Sequence, residues 1–178
     1  MANQSHLTRR ELIQISAVAA GVAAGGVQRG FAADSAPKVF SREEFALLDE
    51  LTEMIIPADD HSPGARAAGV AAYIDGRLAE SVVESERTEW REGLERVDAV
   101  ARDMHGVPFM QATPDQRIAV LSRIAKNEGN PRTPDERFFV QLKFSTAKAY
   151  YSSKIGVHQE MGYKGNVLLP EFVGYEVK

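Results

Sequence analysis

The side chains with the most chemical capacity in this sequence stand together at Asp59-Asp60-His61, followed by Ser62-Pro63-Gly64. Two carboxylates and an imidazole on one loop could ligate a metal ion. Their spacing argues against it: adjacent residues seldom converge on one ion, no second His stands at i, i+4, and no Asp-x-Asp-x-Asp-Gly calcium loop occurs. A capped turn leading into the next helix is the simpler expectation. His158 lies in a glycine-flanked stretch near Tyr150, Tyr151 and Tyr163. Without an orienting carboxylate or a nucleophile it reads as a hydrogen-bonded structural residue, with acid–base work as the alternative. His105 precedes Gly106 and is placed to serve the C-terminal dipole of a helix.

Other chemistry lacks its usual equipment. There is no G-x-G-x-x-G dinucleotide fingerprint, no P-loop and no G-x-S-x-G elbow. Zero cysteines remove disulfides, thiolate zinc sites, iron–sulfur clusters and C-x-x-C-H haem attachment. With 21 Lys plus Arg against 25 Asp plus Glu, the net charge of −4 offers no grip on a phosphate backbone, so no nucleic-acid partner is expected. No cofactor or metal site is expected in this chain, and no catalysis from it alone.

The elements that must position these residues are helical. The 178 residues, 44% hydrophobic and 26% charged, suit one globular domain. Ser41-Arg42-Glu43-Glu44 is a capping box with Phe40 and Phe45 as a hydrophobic staple, and Phe45, Leu48, Leu51 and Ile55 continue one face until Pro57. Thr113-Pro114-Asp115-Gln116 and Thr133-Pro134-Asp135-Glu136 repeat that logic with proline at the first helical position. Val70, Tyr73, Ile74 and Leu78 predict a helix over 70–81. Trp90, Leu94, Val97, Ala101 and Met104 predict a longer one, from about Ser85 to His105, ended by Gly106. The last helix, from Pro134 to about Lys154, should bury Phe138, Leu142, Ser145 or Thr146, and Ala149. No strand alternation is visible. The fold class expected is all-α, an irregular bundle of about five helices with an extended, irregular carboxy-terminal arm.

That arm, from Ile155 onward, has four glycines, one proline and no helical period. Eight of the fourteen aromatic residues fall between Phe138 and Tyr175, so the arm is apolar and needs a surface to lie against. It could seal its own helices or form the surface on which another subunit docks.

The amino terminus reads as an address. Thr8-Arg9-Arg10-Glu11 stands directly before Leu12–Val27, a run of Leu, Ile, Val, Ala and Gly interrupted only by Gln14 and Ser16. Paired Arg9 and Arg10 before a small-residue apolar stretch form the pattern of a twin-arginine export signal. The run falls short of the roughly 20 strongly apolar residues of a membrane span, although a retained anchor is the alternative. Gly30-Phe31-Ala32 supplies small residues at −3 and −1, so cleavage is expected after Ala32. Residues 1–32 are thus the expected signal, 33–40 a linker and 41–178 the helical domain. Removing the signal takes away Arg9, Arg10, Arg29 and Glu11, leaving 18 positive and 24 negative groups, or −6. An acidic periplasmic body is expected.

Three blocks together resemble a known family. Leu51-Thr52-Glu53-Met54-Ile55-Ile56-Pro57-Ala58-Asp59-Asp60-His61-Ser62-Pro63-Gly64-Ala65, Tyr150-Tyr151-Ser152-Ser153-Lys154-Ile155-Gly156 and Gly162-Tyr163-Lys164-Gly165-Asn166 are similar to the small (third) subunit family of gluconate 2-dehydrogenase. The resemblance implies a partner: a large flavoprotein of the glucose–methanol–choline type that holds FAD and oxidises a sugar, sugar acid or polyol in the periplasm. It also implies a cytochrome c, with haem c, as electron acceptor in a third subunit. The small subunit would then escort the leaderless flavoprotein through the twin-arginine translocase, with membrane association through the complex. No catalytic residue is carried over. Asp59, Asp60, His61, Tyr151, His158, Tyr163 and Phe172 are the candidate partner-interface residues on this reading. The competing reading is a stand-alone periplasmic metal-binding protein or enzyme using Asp59, Asp60, His61 or His158.

Overall fold

A computed structural model describes residues 36–165. Within them the chain forms α1 (Arg42–Ile55), α2 (Gly64–Ala67), α3 (Val70–Glu80), α4 (Glu84–His105), α5 (Pro114–Ala125) and α6 (Pro134–Ser152). A 3₁₀ turn (Phe109–Gln111) precedes α5, and a π-helical turn (Gly156–Glu160) follows α6. No strand occurs among the described residues, and the five helices of more than four residues agree with the all-α bundle expected from sequence. None of the helices described is long and apolar enough to cross a membrane.

Local chemistry starts these helices where the sequence placed them. Ser41, Thr113 and Thr133 each accept a hydrogen bond from the N3 amide, while Glu44, Gln116 and Glu136 reach back to the cap amide. Gly106 ends α4 in the left-handed conformation. Of the staple, Phe40 is buried and Phe45 packs against the core.

Helix α6 is the axis of the bundle, touching α1, α3, α4 and α5. Leu48 and Leu51 of α1, Leu78 of α3, Leu94 and Val97 of α4, Ile124 of α5 and Leu142 of α6 are sealed from solvent. Burial contributes about 1.5–3 kcal/mol for each large apolar side chain. Trp90 meets Phe138 edge to face, with ring centroids 5.6 Å apart. On α6 the buried hydroxyl residue is Thr146, whose Oγ1 donates to the Leu142 carbonyl at 2.8 Å. Two expectations need correction. Tyr73 is exposed, because the inner face of α3 is taken by Val70, Ala71, Ile74, Asp75 and Leu78. The arm's first residues coil into a π turn instead of running irregularly.

Two polar clamps went unread in the sequence. Asp75 is buried and its carboxylate accepts from the amides of Lys38 (2.7 Å), Val39 (2.9 Å) and Phe40 (3.2 Å), fixing the segment before α1 to α3. The Arg117 guanidinium donates to the Phe109, Ala112 and Met110 carbonyls and to Glu50, so it holds the 3₁₀ turn to α1 and α5.

Glu136 has a second role beyond its cap. Its carboxylate accepts from the Arg132 amide (2.7 Å), the Asn127 side chain and the Thr133 amide, and these donors hold its pKa down at about 2. The group binds its proton less readily folded than unfolded, so the stability it adds is complete above 4.5 and is lost as pH falls through about 2. Glu136→Gln should therefore flatten the rise of unfolding free energy with pH across that window, as measured by denaturant titration at successive pH values.

Candidate functional site

The loop after α1 is organised around Glu53. This half-buried carboxylate accepts from the Ala58 amide at 3.2 Å and the Arg66 amide at 2.7 Å, so it bridges the two ends of the loop. Within it, Asp59 Oδ1 accepts from the His61 amide (2.8 Å) and the Ser62 amide (2.7 Å), and the Asp59 amide donates to the Ser62 carbonyl at 2.8 Å. This is the side-chain-capped turn expected from sequence. The His61 and Ser62 amides also lower the Asp59 pKa below the ordinary carboxylate value. Gly64 closes the loop at φ +79°, where an added Cβ would lie 2.6 Å from the Ala58 nitrogen and 2.7 Å from Glu53 Oε1. Only glycine fits there without displacing that carboxylate. At the base of the loop, Arg66 pairs with Asp49 (2.6 Å) and Glu50 (2.7 Å) of α1.

The loop is joined to the end of α6. Ser62 Oγ and the Tyr150 hydroxyl share a hydrogen bond, and Tyr150 is completely buried. Burial raises its pKa, and the nearby carboxylates of Glu160, Asp59 and Glu53 raise it further, so the phenol is held as the neutral hydroxyl. The arm then folds back on the same residue. The Ser153 amide donates to the Tyr150 carbonyl at 2.9 Å, and Gly156 lies so close that an added Cβ would stand 2.1 Å from that oxygen. The π turn is tied at entry by the Gly156 amide to Ser153 Oγ (3.0 Å), and at exit by the Met161 amide to the Gly156 carbonyl (3.0 Å). Beyond it, the Tyr163 amide donates to the Val157 carbonyl at 3.0 Å. His158 Nδ1 lies 3.0 Å from the Tyr163 carbonyl, an arrangement that requires the Nδ1-protonated ring.

The candidate residues divide accordingly. Asp59 is spent on its own turn, while Asp60 and His61 are exposed on the loop. Tyr151 packs edge-on against Tyr150, with centroids 5.3 Å apart, and remains exposed. His158 and Tyr163 close the turn of the arm on each other. Phe172, Arg9 and Arg10 lie outside the described residues, as do the expected cleavage site after Ala32 and the first three residues of the expected linker, 33–35. Among the described residues no group of three or more His, Cys, Asp or Glu side chains is placed to hold a metal ion. His105 ends α4 as expected, but its Nε2 is buried with no hydrogen-bond partner.

Glu53, Ser62, Tyr150 and Gly156 are the residues that sequence reasoning passed over. All four lie inside the blocks that carried the resemblance, which was the available signal; their roles depend on contacts across the fold. Together they hold out the exposed side chains of Asp60, His61, Tyr151, Met161 and Tyr163. Aromatic residues and methionine favour the centres of protein interfaces.

A family model described as gluconate 2-dehydrogenase subunit 3 matches residues 42–167. The match spans the loop, all the described helices and the π turn. No curated protein and no solved structure matches the chain.

Proposed function

The chain belongs to the gluconate 2-dehydrogenase subunit 3 family, and from that premise we propose that it is a non-catalytic periplasmic subunit that escorts and docks an FAD-dependent sugar or sugar-acid dehydrogenase. FAD resides in the large partner, and haem c in a cytochrome that takes the electrons. The paired Arg9 and Arg10 direct the folded complex through the twin-arginine translocase. A flavoprotein must fold around its cofactor before crossing a membrane, which gives the export route its purpose.

The observation that supports the docking role is the tying of the Glu53 loop and the post-α6 turn to one buried residue, Tyr150, with Tyr151, Met161 and Tyr163 left exposed around them. The partner meets this chain there, and Asp60, His61 and His158 contribute polar contacts at the rim. Phe172 extends the same contact beyond the described residues. The test is co-expression of a tagged chain with a signal-less flavoprotein of this type. The flavin-loaded partner should be recovered with the tag, and Tyr163→Ala should reduce that recovery. Failure to recover the flavoprotein under any condition would refute the assignment.

A further inference from the structure

Tyr150 is fully buried and so cannot touch a partner, yet both halves of the exposed surface rest on it. Its hydroxyl holds Ser62, 88 residues away in sequence, at the tip of the loop. Its carbonyl accepts from the Ser153 amide and lies against Gly156, where the arm turns back. Its ring packs against exposed Tyr151. Each half also has bonds of its own, the Asp59 turn in the loop and the Gly156–Met161 and Val157–Tyr163 bonds in the arm. Those bonds order each half separately. Among the described residues the hydroxyl pair is the hydrogen bond that crosses from the loop to α6, and through the Tyr150 backbone to the arm.

We infer that the Ser62–Tyr150 hydroxyl pair couples the 57–66 loop to the 156–163 turn, so that the two order and loosen as a single element presented to the partner. Tyr150 and Ser62 are then positioning residues: they fix side chains that make contact while making none themselves. The local setting suits this work. Burial keeps the phenol neutral, and the charges of Glu160, Asp59 and Glu53 act in the same direction. Glu53 and Gly64 set the loop path that brings Ser62 to the hydroxyl. The coupling is a property of the isolated chain; only its use in docking rests on the function proposed above.

Amide hydrogen exchange on the purified chain tests the coupling. Ser62→Ala lies on the loop side, Tyr150→Phe removes one oxygen on the helix side, and the double variant removes both. One neutral hydrogen bond is worth about a fivefold change in an opening equilibrium. Each single variant should speed exchange by about that factor at the Ser62 and Arg66 amides and equally at the Met161 and Tyr163 amides. The double variant should be no faster than either single one, and amides of the central turns of α4 should keep their protection. Acceleration by Ser62→Ala confined to the loop would overturn the inference, and so would uniform acceleration through the helices, which would make the pair an ordinary stabiliser of the whole fold. Capture of the flavoprotein then separates the two propositions. Both buried substitutions should weaken capture about as much as they accelerate exchange; coupled exchange with undiminished capture would leave the coupling standing and remove its role in docking.

Discussion

Asp75→Ala is expected to destabilise the folded chain by about 3 kcal/mol, because it strands three amides at once. The carboxylate is only 4% exposed and receives the Lys38, Val39 and Phe40 amides. Hydrogen bonds to a charged acceptor are worth about 1.5–3 kcal/mol each, and they add less than fully because the donors share one side chain. Phe40, buried at the start of α1, loses its tether in the same event, although Arg91 still reaches the Val39 carbonyl. Asp75→Asn keeps one acceptor oxygen and the shape, and should fall between wild type and the alanine variant. Urea unfolding monitored by the single tryptophan, Trp90, gives the comparison. A loss below about 1 kcal/mol for the alanine variant would mean that the amides find water instead and that the clamp is dispensable.

The second large effect concerns export. Replacing Arg9 and Arg10 together by lysine should leave both this chain and its flavoprotein in the cytoplasm. Lysine preserves the charge of the head segment and removes the planar, multi-donor guanidinium groups, so the substitution separates recognition of the arginine pair from attraction of any positive segment to the membrane surface. Cell fractionation followed by blotting for both subunits reads the result. Loss of the flavoprotein from the periplasm together with this chain is the outcome expected of an escort. Continued arrival of the flavoprotein would separate the two fates and leave this chain a companion with no part in transport.

What was legible in the sequence was local. Ser41, Thr113 and Thr133 announce helix starts because a hydroxyl, a proline or a returning Glu or Gln side chain acts within three residues, and all three boxes form as read. Gly106 marks its helix end for the same reason. The Asp59 turn was also readable, since Asp bonds its own chain two and three residues on. Periodicity found the core faces but misplaced Tyr73, because α3 turns its polar Asp75 inward and a hydropathy pattern cannot foresee a charged group that finds three buried donors. The Ser62–Tyr150 pair and the cage of Arg117 around the 3₁₀ turn join residues distant in sequence, and no local rule reports on such pairs. Gly156 read only as one of the four glycines of the arm; its tight seat on the Tyr150 carbonyl needed the fold. The blocks carrying the family resemblance contain Ser62, Tyr150 and Gly156 but not Arg117, and the resemblance says nothing of the contacts these side chains make.

The central claim is that this chain performs no redox step and works by holding a flavin-bearing partner. The most direct measurement takes the chain purified alone and the chain purified with its flavoprotein, and compares their visible absorbance and their turnover of sugar acids with an artificial electron acceptor. The chain alone should be colourless and inert, and the pair should show flavin absorbance and activity in a fixed stoichiometry. A yellow, active product from the chain alone would contradict the account.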